Sequence, residues 1–443
     1  MPASRAALIG WASGTIGSST MLGAMSLLVM FYLTEYLGIS PALAGALIFV
    51  SRIWDIGASL VVGQWSDRIA GRWAGRWGRR VPFLAVGGPV AALSYMLLFA
   101  APADLGQGAL AAYVLAALIL YATGYSLFVV PYLAVPAEIT SVPQQRTTMM
   151  AMRVVAMTVA GLNVAVLGPV LIGAFGTGRA GYAGMGAVQG GIILAAMWIC
   201  TIVVARAPSV ASAAASPAGS LAQVVMVLRN RPFLIFLGVK FCQLTAAAST
   251  TVALLYLARY VLDQDENFLI RFGAFQTIGT LASLPAWSWL AARYGKRRTY
   301  MGAWFFYAAV VISWLATALG EPGWVTDARI LLIGVATSGL LVMGFSLLPD
   351  TMEHNTRITG VGQEGTMAAV YSMVEKGTAA AGPLIGGVLL ELSGFISAEG
   401  GALPPEQPAS AIVAIFALVA VIPAVFNVAG SLLLTRFTLT DAP

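Results

Sequence analysis

Residues 65–80 read WSDRIAGRWAGRWGRR, and residues 289–298 read WLAARYGKRR. Each follows a long apolar run and is rich in glycine and basic residues: Arg68, Arg72, Arg76, Arg79 and Arg80 in the first, Arg293, Lys296, Arg297 and Arg298 in the second. Such a loop makes a tight turn between helices, with arginines placed to pair with helix C-terminal carbonyls and acidic side chains. Its recurrence in the second half implies a unit built twice.

The sequence between the loops is apolar. Of 443 residues 59% are apolar and only 9% charged, with a mean hydropathy of +0.85. A soluble domain averages about 25% charged residues, so this chain cannot coat a globule of its size with ionised groups. Soluble enzymes, single-span receptors and disordered chains are excluded together. Runs of roughly 20 apolar residues also exclude a barrel, whose strands alternate apolar and polar positions.

Breakers divide the chain into twelve spans beginning near Ala7, Pro41, Pro82, Ala109, Thr147, Met185, Pro232, Phe268, Tyr300, Ile330, Thr366 and Ser410. The first, after MPASRAALIGW, reads as an uncleaved helix. Lys and Arg cluster in alternate loops, with Arg5, Arg146, Arg206, Arg229, Arg231, Arg357 and Arg436 on the side of the basic loops. The opposite loops carry Asp104, Asp263, Asp265, Glu266, Glu321, Asp327, Glu399 and Glu406. By the positive-inside rule both termini are cytoplasmic, as for a multi-pass protein of a bacterial inner membrane. The net charge of +6 therefore points to topology, and no nucleic-acid partner is expected. Cys200 and Cys242 lie in apolar runs and imply neither a disulfide nor a metal site.

The stretch ARAPSVASAAASPAGS, residues 205–220, is a linker near the middle of the chain. The division is 1–205, an N-terminal six-helix half; 206–231, a cytoplasmic linker; and 232–443, a C-terminal six-helix half. Leu221, Val224, Val225 and Leu228 at helical spacing suit either an amphipathic helix on the membrane surface or an extension of span seven. Twelve spans, a central linker and a repeated basic loop resemble the major facilitator fold, an all-α membrane architecture whose two halves rock about a midplane site.

Ionisable groups within spans are costly and are candidates for function. Span two holds Arg52 and Asp55, three residues apart on one helix face, with Ser59 one turn beyond Asp55. Span five holds Arg153, span seven Lys240, and span eleven Glu375 and Lys376, which point about 100° apart. The alternative role for each is internal pairing that locks helices together. Pro131 and Pro383 interrupt spans four and eleven, each removing a helix hydrogen bond and freeing a carbonyl. Tyr121, Tyr125, Tyr132, Tyr256, Phe272, Phe275, Gln276 and Tyr371 suit a solute cavity, although helix packing accounts for each singly. His354 is expected in a solvated loop. No nucleotide loop, metal motif or catalytic constellation is visible, so neither ATP-driven transport nor enzyme activity is expected.

At SRIWDIGASLVVGQWSDR, residues 51–68, the sequence resembles the glycoside-pentoside-hexuronide:cation symporter family, to which the melibiose carrier belongs. The resemblance extends through FYLTEYLGIS (31–40), PYLAVPAEIT (131–140), PDTMEH (349–354) and EGTMAAVYSMVEKG (364–377). In sugar-transporting members it implies a cation site of two span-two carboxylates one turn apart, with a span-eleven lysine nearby. Asp55 and Lys376 occupy two of those positions, Ser59 replaces the second carboxylate, Ala58 replaces an amide ligand, and Ser126 stands at the span-four hydroxyl position. Loss of a carboxylate weakens a Na⁺ site, whereas a proton needs only one titratable group, so H⁺ is favoured over Na⁺ as the coupling ion.

The family's sugar-binding aspartates of spans one and four correspond to Ser19 and Val129, and its span-five arginine to Arg153. Without those carboxylates a neutral disaccharide loses its polar anchors. With Arg153, Lys240 and Lys376 present, the expected solute is a small organic anion such as a glycoside derivative, contacted by Ser19, Arg153, Tyr125, Lys240, Gln276 and Tyr371. Gating or structural roles are expected for Arg52, Asp67, Arg79, Arg80, Pro131, Glu138, Glu375 and Pro383. The chain is expected to work as a monomer, without cofactor or bound metal, by alternating access. The rival functions are transport of lysolipids or other amphiphiles on the same fold and a non-transporting role in assembly or pigment delivery.

Overall fold

The computed structural model describes residues 5–68, 80–140, 143–176, 178–207, 226–264, 267–317, 321–359, 363–397 and 405–437. Arg79 and the linker over 208–225 lie outside the described residues, as do the side chains of Asp67 and Glu138. Within the described residues the secondary structure is helical throughout its regular parts.

The chain clusters into two compact units, Met1–Ala215 with Ile396–Pro405, and Ser216–Phe395 with Glu406–Pro443. The first holds α1 (Arg5–Leu27, continued by Val29–Phe31 and a π-helical turn Tyr32–Tyr36), α2 (Pro41–Arg68), α3 (Val81–Phe99) and α4 (Gln107–Ile139). It also holds α5 (Pro143–Leu162, a π turn Asn163–Leu167, then Gly168–Ala174) and α6 (Arg179–Arg206). The second holds α7 (Arg231–Tyr260), α8 (Phe268–Tyr294), α9 (Lys296–Ile312), α10 (Gly323–Thr359) and α11 (Glu364–Leu392). Its last helix is α12, built from Ala409–Phe416, a π turn Ala417–Val421 and Ile422–Thr435.

Among the described residues nine helices are long and apolar enough to cross a membrane, and the bent α1 makes a tenth. The other two, α8 and α11, carry polar groups such as Arg271, Gln276, Glu375 and Lys376 that lower their apolarity. At 27 and 29 residues they are nonetheless about 40 Å long, more than the roughly 30 Å hydrocarbon core. Together these make the twelve helices of the expected architecture.

The two units repeat one packing scheme. In the first, α1 packs on α5 and α6, α2 on α4, and α3 on α4 and α6. In the second, α7 packs on α11 and α12, α8 on α10, and α9 on α10 and α12. Adding six to each helix number in the first set gives the second. In the second unit the backbones of α8 and α10 approach closely, where a Cβ on Gly279 would overlap the Leu331 carbonyl and one on Gly334 the Gln276 carbonyl. Only glycine fits at both places, because the obstructing atoms are backbone.

Three expectations need correction. Some helices start well before their apolar runs: α6 at Arg179 rather than Met185, α10 at Gly323 rather than Ile330. A helix closes its own hydrogen bonds and so extends through the polar turn beyond its apolar core. Pro131 and Pro383 do not interrupt their helices, since α4 runs unbroken through Pro131 and Pro136, and α11 through Pro383. One lost hydrogen bond costs less than exposing a whole turn of backbone to lipid. The bend lies instead in α1 at Leu28, where the flanking segments meet at 48° without a proline. Finally, His354 is buried in α10, which continues past Pro349 to Thr359.

Candidate functional site

In the first unit α2 presents Arg52, Asp55 and Ser59 at positions i, i+3 and i+7, the spacing of one helical stripe. Asp55 is 4% exposed. Its Oδ1 accepts a hydrogen bond from Ser126 Oγ of α4 at 2.5 Å, and Ser126 Oγ lies 3.0 Å from Ser59 Oγ. The same Ser126 oxygen is 3.4 Å from the Asp55 carbonyl. One carboxylate, two hydroxyls and a backbone carbonyl thus converge where α2 packs on α4. That oxygen-rich arrangement can hold a proton or a small hard cation.

Beside this cluster is a cavity with about 10 Å³ of free space, room for about one water-sized guest, lined by Leu22 and Met25 of α1, Ser51, Arg52 and Asp55 of α2, and Tyr121, Ala122 and Tyr125 of α4. Tyr121 is buried and donates its hydroxyl to the Met21 carbonyl. Arg52 is half-buried, and its buried Nε finds no acceptor. Arg153 of α5 is likewise half-buried with an unsatisfied Nε, near Tyr132. Tyr132 itself shares a hydrogen bond of 2.6 Å with Thr15 and stacks on Trp11 at 4.8 Å between centroids. Ser19 of α1 is half-buried. At the basic-loop end of α2, buried Arg80 donates to Ser66 Oγ at 2.5 Å.

The second unit has its own polar cluster. Lys240 of α7 is 2% exposed, and its Nζ donates to Gln243 Oε1 at 2.9 Å. The same Oε1 accepts from Tyr300 of α9 at 3.0 Å. The ammonium lies 5.6 Å from the Phe345 ring centroid, in space that a Cβ on Gly344 of α10 would occupy. Glu375 of α11 acts on Lys240 electrostatically and is hydrogen-bonded to Tyr371, one turn earlier. Tyr371 is buried and stacks with Phe236 at 6.2 Å. Glu375 is exposed, while Lys376 and Gln276 are half-buried. The structure therefore brings Asp55, Ser59, Ser126, Arg52 and Tyr125 together in one unit, and Lys240, Glu375 and Tyr371 in the other.

Sequence reasoning missed two features of the first unit. Glu35 is fully buried in the π turn ending α1, among Tyr32 and Tyr36. As part of FYLTEYLGIS it reads as the end of a span, although the aromatic residues around it were a signal of burial. A hydrogen-bonded chain also crosses the unit: Tyr95 donates to Gln189 at 2.5 Å, Gln189 to the Asn163 carbonyl at 2.8 Å, and Asn163 to Thr20 at 3.0 Å. Its members come from four helices, and no local pattern links them.

Twelve helices in two units of equivalent packing, with a buried carboxylate in one and a buried ammonium in the other, define a multi-pass membrane transporter. The chain belongs to the MFS/sugar transport protein family, which it matches over residues 10–441. It is 24% identical to the glucuronide carrier protein homolog of Escherichia coli strain K12, over 98% of this chain and 92% of that protein. It is 25% identical to the putative glycoside/cation symporter YagG of the same organism, over 98% and 92% of the two chains. A solved structure of a proton-dependent oligopeptide transporter shares the fold, with a TM-score of 0.69 at 12% identity and 98% coverage of both chains. The protein is accordingly a membrane transporter, not an enzyme.

Proposed function

We propose that this transporter is a symporter of a hydroxylated organic anion, coupled to H⁺ rather than Na⁺, working by alternating access as a monomer in a bacterial inner membrane with both termini cytoplasmic. The carrying observation is the buried Asp55, hydrogen-bonded to Ser126, which is in turn in contact with Ser59. A lone carboxylate held by hydroxyls loads a proton without the several oxygens a Na⁺ requires. Asp55 is the coupling group, Ser59 and Ser126 hold it, and Lys376 contributes positive charge. One relative is named a glucuronide carrier protein homolog, and a glucuronide bears a carboxylate, which supports an anionic solute here. The two unsatisfied guanidinium groups of the first unit, Arg52 and Arg153, are the groups suited to its charge. Ser19, Tyr125, Gln276 and Tyr371 supply further contacts, while Lys240, bonded inside its own unit, favours a supporting role.

The experiment is uptake into proteoliposomes driven by an imposed pH gradient or, separately, a Na⁺ gradient. Asp55→Asn should abolish accumulation against a gradient while leaving solute exchange. Full accumulation in that variant removes Asp55 as the coupling group, and accumulation driven by Na⁺ alone removes the proton.

A further inference from the structure

An arginine side chain brings five N–H donors, and a partly desolvated guanidinium with no acceptor is unfavourable unless something supplies one. Arg52 is in that position. No described carboxylate pairs with it, although Asp55 is only one turn away on the same helix. Its buried Nε has no partner, and its side chain lines the same small cavity as Asp55. Asp55 is instead held by Ser126 on the neighbouring helix. The two opposite charges share a cavity without making contact with each other.

The other polar groups of the cavity leave that vacancy open. Ser51 donates to the Ile48 carbonyl at 2.7 Å, and Tyr121 to the Met21 carbonyl. The remaining lining is Leu22, Met25, Ala122 and the half-buried Tyr125. A planar two-oxygen anion matches the guanidinium fork by paired hydrogen bonds.

We propose that Arg52 receives the anionic group of the solute, and that its place one turn before Asp55 makes solute and coupling cation bind interdependently. This rests on the symporter reading above and adds to it the receptor for the solute's charge. Arg52 is a positive charge that shares the cavity with Asp55. An anion seated on Arg52 offsets that charge and brings a second negative charge near Asp55 in a poorly hydrated space. Taking up a cation at Asp55 relieves the repulsion. Each ligand therefore strengthens the other's binding by the same factor, because coupling between sites is reciprocal. The pair enters as a neutral set, and a neutral sugar gains nothing from Arg52.

The test is binding of methyl β-D-glucuronide and methyl β-D-glucoside to the purified full-length protein in nanodiscs, with cation concentration varied. Within each protein the ratio of the two affinities is the readout, since a loss of folded protein lowers both alike. The parent should prefer the glucuronide by about 10–100-fold, a typical coupling-sized effect. Arg52→Gln should bring the ratio of the two affinities to about one, and Arg52→Lys, which keeps the charge but not the fork, should retain part of the preference. Asp55→Asn should keep the preference and lose its dependence on cation. An unchanged preference in Arg52→Gln, or a preference lost only in Arg153→Gln, overturns the proposal. So does a parent that binds both probes equally, an outcome that leaves cation-driven uptake and its dependence on Asp55 standing.

Discussion

Replacing Gln243 with leucine removes the acceptor shared by Lys240 and Tyr300 while keeping nearly the same volume. Lys240 is 2% exposed and Gln243 Oε1 is its hydrogen-bond acceptor among the described residues, so the variant deprives a buried ammonium and a buried hydroxyl of the acceptor they share. A hydrogen bond to a charged group is worth about 1.5–3 kcal/mol and a neutral one about 0.5–1.5 kcal/mol. Unfolded helices in a membrane find substitute partners, which brings the expected loss to about 1–3 kcal/mol. For a unit of about 200 residues this lowers the melting temperature by about 3–10 °C. Cys242 and Cys200 are free and buried, so a thiol-reactive dye reports unfolding directly, and Cys200→Ser confines the signal to the second unit. The sharper expectation is the double variant. Lys240→Met combined with Gln243→Leu replaces the charged pair with apolar groups of similar size and should melt above Gln243→Leu alone, since an unpaired buried charge costs more than none. A double variant that melts lower than Gln243→Leu refutes this account of Lys240, as does a Gln243→Leu protein indistinguishable from the parent.

Gly334→Val should strongly reduce the yield of folded protein, judged by size-exclusion chromatography, because its side chain meets the Gln276 carbonyl rather than a movable group. Gly302→Ala, where a Cβ meets nothing within 4 Å, should be neutral or slightly stabilising. In α10, Arg329 lies 2.7 Å from a carboxylate oxygen of Glu321, with both side chains only 12% and 10% exposed. Arg329→Ala should destabilise by about 3 kcal/mol in the same melting assay. Glu353→Ala, which breaks the exposed pair with Arg357, should leave melting unchanged.

Some of this was legible in the chain and some could not be. Arg52, Asp55 and Ser59 declare themselves because an ionised group in an apolar run is conspicuous and helical spacing fixes which residues share a stripe. The repeated basic loop likewise anticipates two units with the same packing scheme, since covalent order and short loops constrain which helices meet. The partners of a buried side chain are different. Lys240 is conspicuous in span seven, but the acceptor it shares with Tyr300 and its close approach to Gly344 join residues 60 to 104 positions away, and nothing local encodes them. Ser126 could be named only through the family resemblance. His354 misled because a polar cluster, PDTMEHNTR, looks like a loop, whereas a long helix can carry such residues past its apolar core and turn some of them inward.

The three π turns in α1, α5 and α12 bear on how such a chain can change over time. A π turn accommodates one residue more than regular α geometry. Elsewhere in a packed helix, losing a single residue rotates everything beyond it by about 100° and turns buried faces toward lipid. At Tyr32–Tyr36, Asn163–Leu167 and Ala417–Val421 the deletion instead has slack to consume. Those segments are where length differences between relatives can accumulate inside membrane helices, and where an engineer can shorten one without first rebuilding its partner.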